Sequence, residues 1–280
     1  MAINKNSNAY IIMYTVVMVV IVATLLTFAA TSLKDRQNAN AENEKKSAIM
    51  EALGMAGGSM EQTVKDFDEM IVPALIVDGV FTPQVDAAGK ADAKPVLDKM
   101  ADLKGLAAAE NELPIFKYEK EGVIRYVIPV SGKGLWDSIW GYVALTEDGN
   151  TIAGVVFGHK GETPGLGAEI ATEPHQNLYK EHKLFDDNGR FVSVKLVKGG
   201  AHEGNLHEVD AITGGTKTSD GVTLMLKNGL AKYEGFLRSL SATAAEDTTL
   251  SDDAVSEPVL DETFSDGETA DVKPINVEEE

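Results

Sequence analysis

Between Lys5 and Lys34 the chain carries no charged side chain. Within that stretch Tyr10–Ala30 is almost wholly apolar. It matches the roughly 20 residues that a helix needs to cross a bilayer. Tyr10 and Tyr14 stand near one end, as interfacial aromatics do. The rival reading is a cleaved signal peptide. The long apolar run, a leading charge of only Lys5 and the amino terminus, and the lack of a clear Ala-x-Ala site all favour a retained anchor. Lys34, Arg36, Lys45 and Lys46 follow the span, against Lys5 before it. The positive-inside rule alone would put the large domain in the cytoplasm.

The remaining composition works mainly by exclusion. The formal charge is −19, and the last forty residues contribute −12 of it through thirteen Asp/Glu and one Lys. That balance argues against a nucleic-acid partner. The absence of cysteine rules out disulfides and thiolate ligands for zinc or iron–sulfur clusters. Any electron carrier must be an organic cofactor or a haem held without a C-x-x-C-H attachment. The five histidines fall in no zinc-binding spacing, and there is no Gly-x-Ser-x-Gly elbow.

The chain divides into a short tail (1–9), a transmembrane helix (10–33), a juxtamembrane helical region (34–110), a ligand-binding domain (111–240) and an acidic, aromatic-poor tail (241–280) that reads as disordered. In the juxtamembrane region, helices are predicted over 38–55, ended by Gly57-Gly58, over 59–71 with Ser59 at its start, and around 94–109. From Ile115 the period becomes strand-like. Glu121-Gly122 and Glu147-Asp-Gly-Asn150 mark two hairpins. Thr172 reads as the cap of a short helix with Pro174 in its first turn. Two further strands are predicted over 190–198 and 206–212. Apolar residues from Val222 to Leu237 follow helical spacing, with Ser219 or Asp220 as the cap. The fold class is α+β: an antiparallel sheet with packed helices, preceded by one N-terminal transmembrane helix.

The densest chemistry lies in Asp210-Ala-Ile-Thr-Gly-Gly-Thr-Lys-Thr-Ser-Asp220, between a predicted strand and a predicted helix. Its glycines allow close backbone approach, and a helix start offers free N–H groups to an anion. It is therefore a phosphate-site candidate, although a turn whose hydroxyls merely cap the helix would look the same. Neither the Walker spacing nor the three-glycine dinucleotide fingerprint is present.

The pattern Asp-x-x-Thr-Gly-Gly-Thr-x-Thr-Ser resembles the flavinylation motif of the FMN-binding domain family. The usual tetrad there is Ser-Gly-Ala-Thr, so Thr213 and Gly215 are small-residue departures. Gly132-Lys-Gly-Leu-Trp-Asp137, Gly161-Glu-Thr-Pro-Gly-Leu-Gly167 and Lys198-Gly-Gly-Ala201, with the anchor, resemble the family of C subunits of Na⁺-translocating NADH:quinone reductases. The flavin subunit of Rnf-type complexes is the alternative within redox proteins. An anchored binding module without redox chemistry is the alternative from another class.

The resemblance implies FMN joined by a phosphoester bond to Thr216. It implies cofactor contacts from Leu135, Trp136, Glu162, Thr163, Gly165, Leu166, Gly167, Thr213, Gly214, Gly215, Lys217 and Thr218. Asp210, Thr213, Gly214 and Thr216 would be recognised by a flavin transferase. It implies membership of a complex of six subunits that oxidises NADH at another subunit, reduces ubiquinone and exports Na⁺. The domain would then lie on the periplasmic side of the bacterial inner membrane, against the charge count. From the residues themselves, Pro164-Gly165 predicts a type II turn. Leu135, Trp136 and Leu166 offer apolar surface, which in Trp136 would equally suit a core or interface aromatic.

Overall fold

The computed structural model describes residues 7–242, so the acidic tail beyond 242 and residues 1–6 lie outside the described residues. Helix α1 runs unbroken over Asn8–Ala52. The predicted span and the predicted 38–55 helix are one element, because neither Gly nor Pro stands between Asn8 and Leu53. Its apolar stretch is exposed, and it is the one described helix long and apolar enough to cross a membrane. Thr15, Thr24 and Thr27 return their hydroxyls to carbonyls one turn back, at 2.7–2.8 Å, so these donors are not left facing an apolar medium. The helix ends at Gly54 (φ 75°), three residues before the predicted Gly57-Gly58 break. Its last turn is core: Ile49, Met50, Ala52 and Leu53 are buried, and Arg125 donates to the Leu53 carbonyl at 2.8 Å. A continuous helix therefore joins the span to the folded domain.

The domain is built on a six-stranded sheet with strands β1 (Ile71–Val77), β2 (Val80–Pro83), β3 (Leu113–Lys120), β4 (Val123–Lys133), β5 (Ser138–Thr146) and β6 (Ile152–His159). Their order is β2-β1-β3-β4-β5-β6, and every neighbouring pair is antiparallel. Strands β1 and β2 come from the region expected to be helical, so the sheet crosses the expected boundary at residue 110. Periodicity does not separate a short apolar run such as Ala74-Leu-Ile-Val77 from a buried helix. Asp78 (φ 49°) and Gly79 (φ 81°) form the turn of an Asp-Gly hairpin, the one local signal for it. Glu121 and Gly122 (φ 54° and 79°) turn β3 into β4 as expected. Asp148 ties the β5–β6 turn by accepting from the Thr146 and Thr151 hydroxyls and the Asn150 and Thr151 amides at 2.6–2.9 Å. Burial pushes its pKa up, but these bonds outweigh that and hold it below the usual value.

Both sheet faces are covered. Helices α2 (Met60–Met70, capped by Ser59 at 3.3 Å) and α3 (Lys94–Lys99) join the end of α1 over Phe67, Phe116, Val127 and Tyr142. On the other face, helix α6 (Thr216–Ala231) and a helical segment over 234–242 pack on Ile115, Ile128, Val143 and Leu145. Neighbouring residues such as Ile115 and Phe116 thus enter opposite cores, which is why these strands read as apolar runs. The predicted 94–109 helix is two short ones, α3 and α4 (Leu103–Ala108), because Asp102 caps the second through Lys104 N at 3.0 Å. Strands β7 (Lys195–Val197) and β8 (Glu208–Asp210) are shorter than predicted and pair in parallel, apart from the main sheet. Ser193 at φ 61° interrupts the run that would have lengthened β7. A 3₁₀ turn over Gly167–Ala171 leads to α5 (Glu173–Asn177). Pro174 is in its first turn, but the Thr172 hydroxyl donates back to Glu169 O (2.8 Å) and caps nothing.

Candidate functional site

The site forms where α6 begins. Strand β8 ends at Asp210, the chain turns through Gly214 (φ 75°), and Gly215 opens the helix. The helix starts at Thr216, three residues before the predicted cap. Ser219 supports the turn from within: its hydroxyl accepts from Ile212 N at 3.1 Å and donates to Gly215 O at 3.0 Å. Among the described residues no side chain caps the helix, so its first-turn N–H groups have no side-chain acceptor there. Thr216 and Lys217 are exposed, and the Thr216 hydroxyl has no hydrogen-bond partner among the described residues. Lys217 lies 4.0 Å from Asp220.

Two upstream loops complete the cradle. Leu166 N donates to Thr163 O at 3.1 Å and Gly165 is at φ 75°, which is the predicted type II turn. Gly165 N is spent on Glu169 Oε1 (3.1 Å), so this amide is committed within the protein. Leu166 packs on Gly214, where a Cβ would sit 2.6 Å from Leu166 Cδ2. In the other loop the Trp136 indole donates to Thr163 Oγ1 at 3.2 Å. Leu135 and Trp136 are 52% and 67% exposed and Leu166 41%, so three large apolar side chains stand uncovered on the two loops. Trp140, by contrast, packs against Gly158 on the α1 side of the sheet.

Not every sequence-derived contact faces outward. Glu162 is 4% exposed and Thr218 1%, and they bond to each other at 2.5 Å. Glu162 also accepts from Trp136 N at 2.9 Å. These two side chains belong to the support of the site and not to its open surface. Gly167 is equally enclosed, since a Cβ there would overlap oxygens of Thr218 and Glu162. Asp210 is committed as well: its carboxylate accepts from Ala201 N at 2.7 Å and holds the Lys198-Gly-Gly-Ala201 turn.

Sequence reading overlooked Glu208, which anchors the same turn. It accepts from His202 Nδ1 (2.6 Å), His202 N (3.1 Å) and Lys195 Nζ (2.9 Å). His202 first, and then Lys195, hold its carboxyl down to about 2. Because the folded value lies below the ordinary 4.5, this tie is fully present above pH 4.5 and is lost as pH falls toward about 2. We expect hydrogen exchange at the His202 amide to quicken across that window, relative to its intrinsic rate, and Glu208→Gln to remove the transition. An unchanged wild-type protection profile would contradict this role.

A family model described as an FMN-binding domain matches residues 134–231, from Gly134 through both loops to the end of α6. The chain is 33% identical over 240 residues to the C subunit of the Na(+)-translocating NADH-quinone reductase of Vibrio anguillarum, covering 79% of this chain and 90% of that one. It belongs to the family of these C subunits. The crystal structure of the C subunit from Parabacteroides distasonis matches with a TM-score of 0.62 at 35% identity, over 73% of this chain and 96% of that one. That of NqrC from Shewanella oneidensis matches with a TM-score of 0.59 at 33% identity, over 73% and 99%. These relatives set aside both the Rnf-type alternative and the non-redox module. The chain is an oxidoreductase-complex subunit with an FMN-binding domain and a candidate membrane anchor.

Proposed function

We propose that this protein carries FMN esterified through its phosphate to Thr216 and relays electrons between neighbouring centres of the NADH:ubiquinone reductase complex, whose turnover exports Na⁺. The observation that carries this is the Thr216 hydroxyl, exposed and unpartnered among the described residues at the uncapped start of α6. The residues present fit the group. The helix N-terminus and Lys217 suit a phosphate, and Leu135, Trp136 and Leu166 suit a flat ring. When bound, the flavin supplies one- and two-electron redox chemistry, and the protein supplies its position and surroundings. The first-turn amides and Lys217 neutralise the phosphate, the exposed apolar side chains shield a ring face, and the covalent bond retains a cofactor that must stay accessible. The absent dinucleotide fingerprint leaves NADH to another subunit, and the span holds no carboxylate for an ion path.

A flavin transferase would act on Thr216, with Asp210, Thr213 and Gly214 in its recognition segment. We place the domain on the periplasmic side of the bacterial inner membrane. The single lysine before the span is a weak topogenic signal, so the charge count does not outweigh the family. Protein purified from a host that has the transferase should weigh about 440 Da more than the bare chain, with the excess on the peptide containing Thr216. Bare-chain mass from that host would overturn the proposal.

A further inference from the structure

We infer that Glu162 is the positioning residue of this site: one carboxylate fixes the start of α6, and with it the Thr216 hydroxyl, to both upstream loops. The inference rests on the assignment of Thr216 as the attachment point. Glu162 is buried, and no Lys, Arg or His side chain pairs with its carboxylate among the described residues; His159 Nδ1 accepts only its backbone N–H, at 3.3 Å. An acidic group enclosed without a cation is costly unless its oxygens are met by donors. Both are met, and by different segments. Oε1 takes the Trp136 amide at 2.9 Å, and Oε2 takes the Thr218 hydroxyl at 2.5 Å. The carboxylate belongs to a third segment, the Gly161–Gly167 loop, which is also tied to Trp136 through Thr163.

The backbone around it closes tightly on this group. A Cβ on Gly134 would lie 2.5 Å from Oε1, and one on Gly167 would lie 2.5 Å from Oε2. The two loop glycines are therefore the walls of a carboxylate socket, which explains their presence without any contact to cofactor. Thr218 lies two residues after Thr216 in the same first turn of α6. Holding its hydroxyl sets the rotation of the helix about its axis, and so the direction in which Thr216 presents its oxygen. A group-transfer enzyme needs that oxygen placed to a fraction of an ångström, and an error of about 1 Å can cost orders of magnitude in rate.

The test compares Glu162→Gln, Glu162→Ala and Thr218→Val as full-length proteins made with the transferase. Covalent FMN per folded chain is followed over time, well below each variant's melting temperature. Glu162→Gln keeps an acceptor for Trp136 N and offers its amide to Thr218 Oγ1, so it should incorporate flavin near the wild-type rate. Glu162→Ala loses both ties, and Thr218→Val loses one while keeping the side-chain shape. Each should slow incorporation about tenfold or more. If Glu162→Ala does not fold, Thr218→Val decides. Wild-type rates in the folded variants, or losses that only track the unfolded fraction, would overturn the inference. Failure of the Thr216 assignment is separable, because the wild type itself would then lack flavin on that peptide.

Discussion

Replacing Thr216 with alanine should leave a folded, membrane-associated protein that carries no covalent flavin. The two halves of that expectation have separate reasons. The side chain is exposed and its hydroxyl makes no hydrogen bond among the described residues, so no contact described in the folded state is lost with it. It occupies the first helical position, where alanine is at least as good a helix former, and the stability change should stay within about 0.5 kcal/mol. The chemistry, however, has no substitute oxygen. Thr213 is also exposed but precedes Gly214, on the other side of the left-handed turn, and the Thr218 hydroxyl is buried against Glu162. Intact mass should therefore fall by about 470 Da relative to the loaded wild type, about 440 Da for the flavin and about 30 Da for the substitution, and in-gel fluorescence should vanish. Thr216→Ser keeps a hydroxyl at the same place and should retain flavin. Persistence of the full mass excess in Thr216→Ala would refute the assignment.

The largest structural effect is expected at Gly221, where α6 crosses β4. A Cβ there would overlap the Lys133 carbonyl oxygen and lie 3.3 Å from Gly134 Cα. Both obstacles are backbone of the sheet and of the loop that follows it, so neither can swing aside as a side chain would. Two effects compete in Gly221→Ala. Removing a helix glycine gains up to about 1 kcal/mol, while forcing atoms into a filled contact costs about 1–3 kcal/mol. The clash should win, and Gly221→Val should be worse. Relief requires α6 to lift from β4, which opens the layer of Val222, Met225 and Leu226 and moves the start of the helix away from Glu162. Lower denaturation midpoints should thus accompany slower flavin incorporation. Gly235→Ala is the control, since its Cβ would meet nothing within 4 Å. It should be neutral or stabilising by up to about 1 kcal/mol. Equal midpoints for Gly221→Ala and Gly235→Ala would show that the contact has been misjudged.

Much of this was legible in the chain because it depends on a few adjacent residues. An uncharged run of membrane length, Glu121-Gly122, the Asp148 turn, Pro164-Gly165 and the Thr-Gly-Gly-Thr segment each dictate local geometry through excluded backbone conformations, missing charges or nearby hydrogen bonds. The Asp78-Gly79 hairpin was equally local, but the apolar run beside it pointed nowhere by itself. Its strand character comes from pairing with Leu113–Tyr118, some forty residues away. The start of α6 was misplaced for a similar reason. Ser219 can cap a helix or brace a turn, and the position of the Ile212 amide settles which.

By itself the sequence determined the elements whose physics is short-range: one apolar span, the tight turns, and a hydroxyl- and glycine-rich strand-to-helix junction suited to a phosphate. Only the tertiary structure decided that the span continues unbroken into the domain core, that the 71–83 segment completes the sheet, and that Glu162 and Thr218 face inward while Thr216, Leu135, Trp136 and Leu166 face out. Those outcomes depend on which distant surfaces exclude water together, and on which buried donors find an acceptor. Neighbouring residues do not specify either.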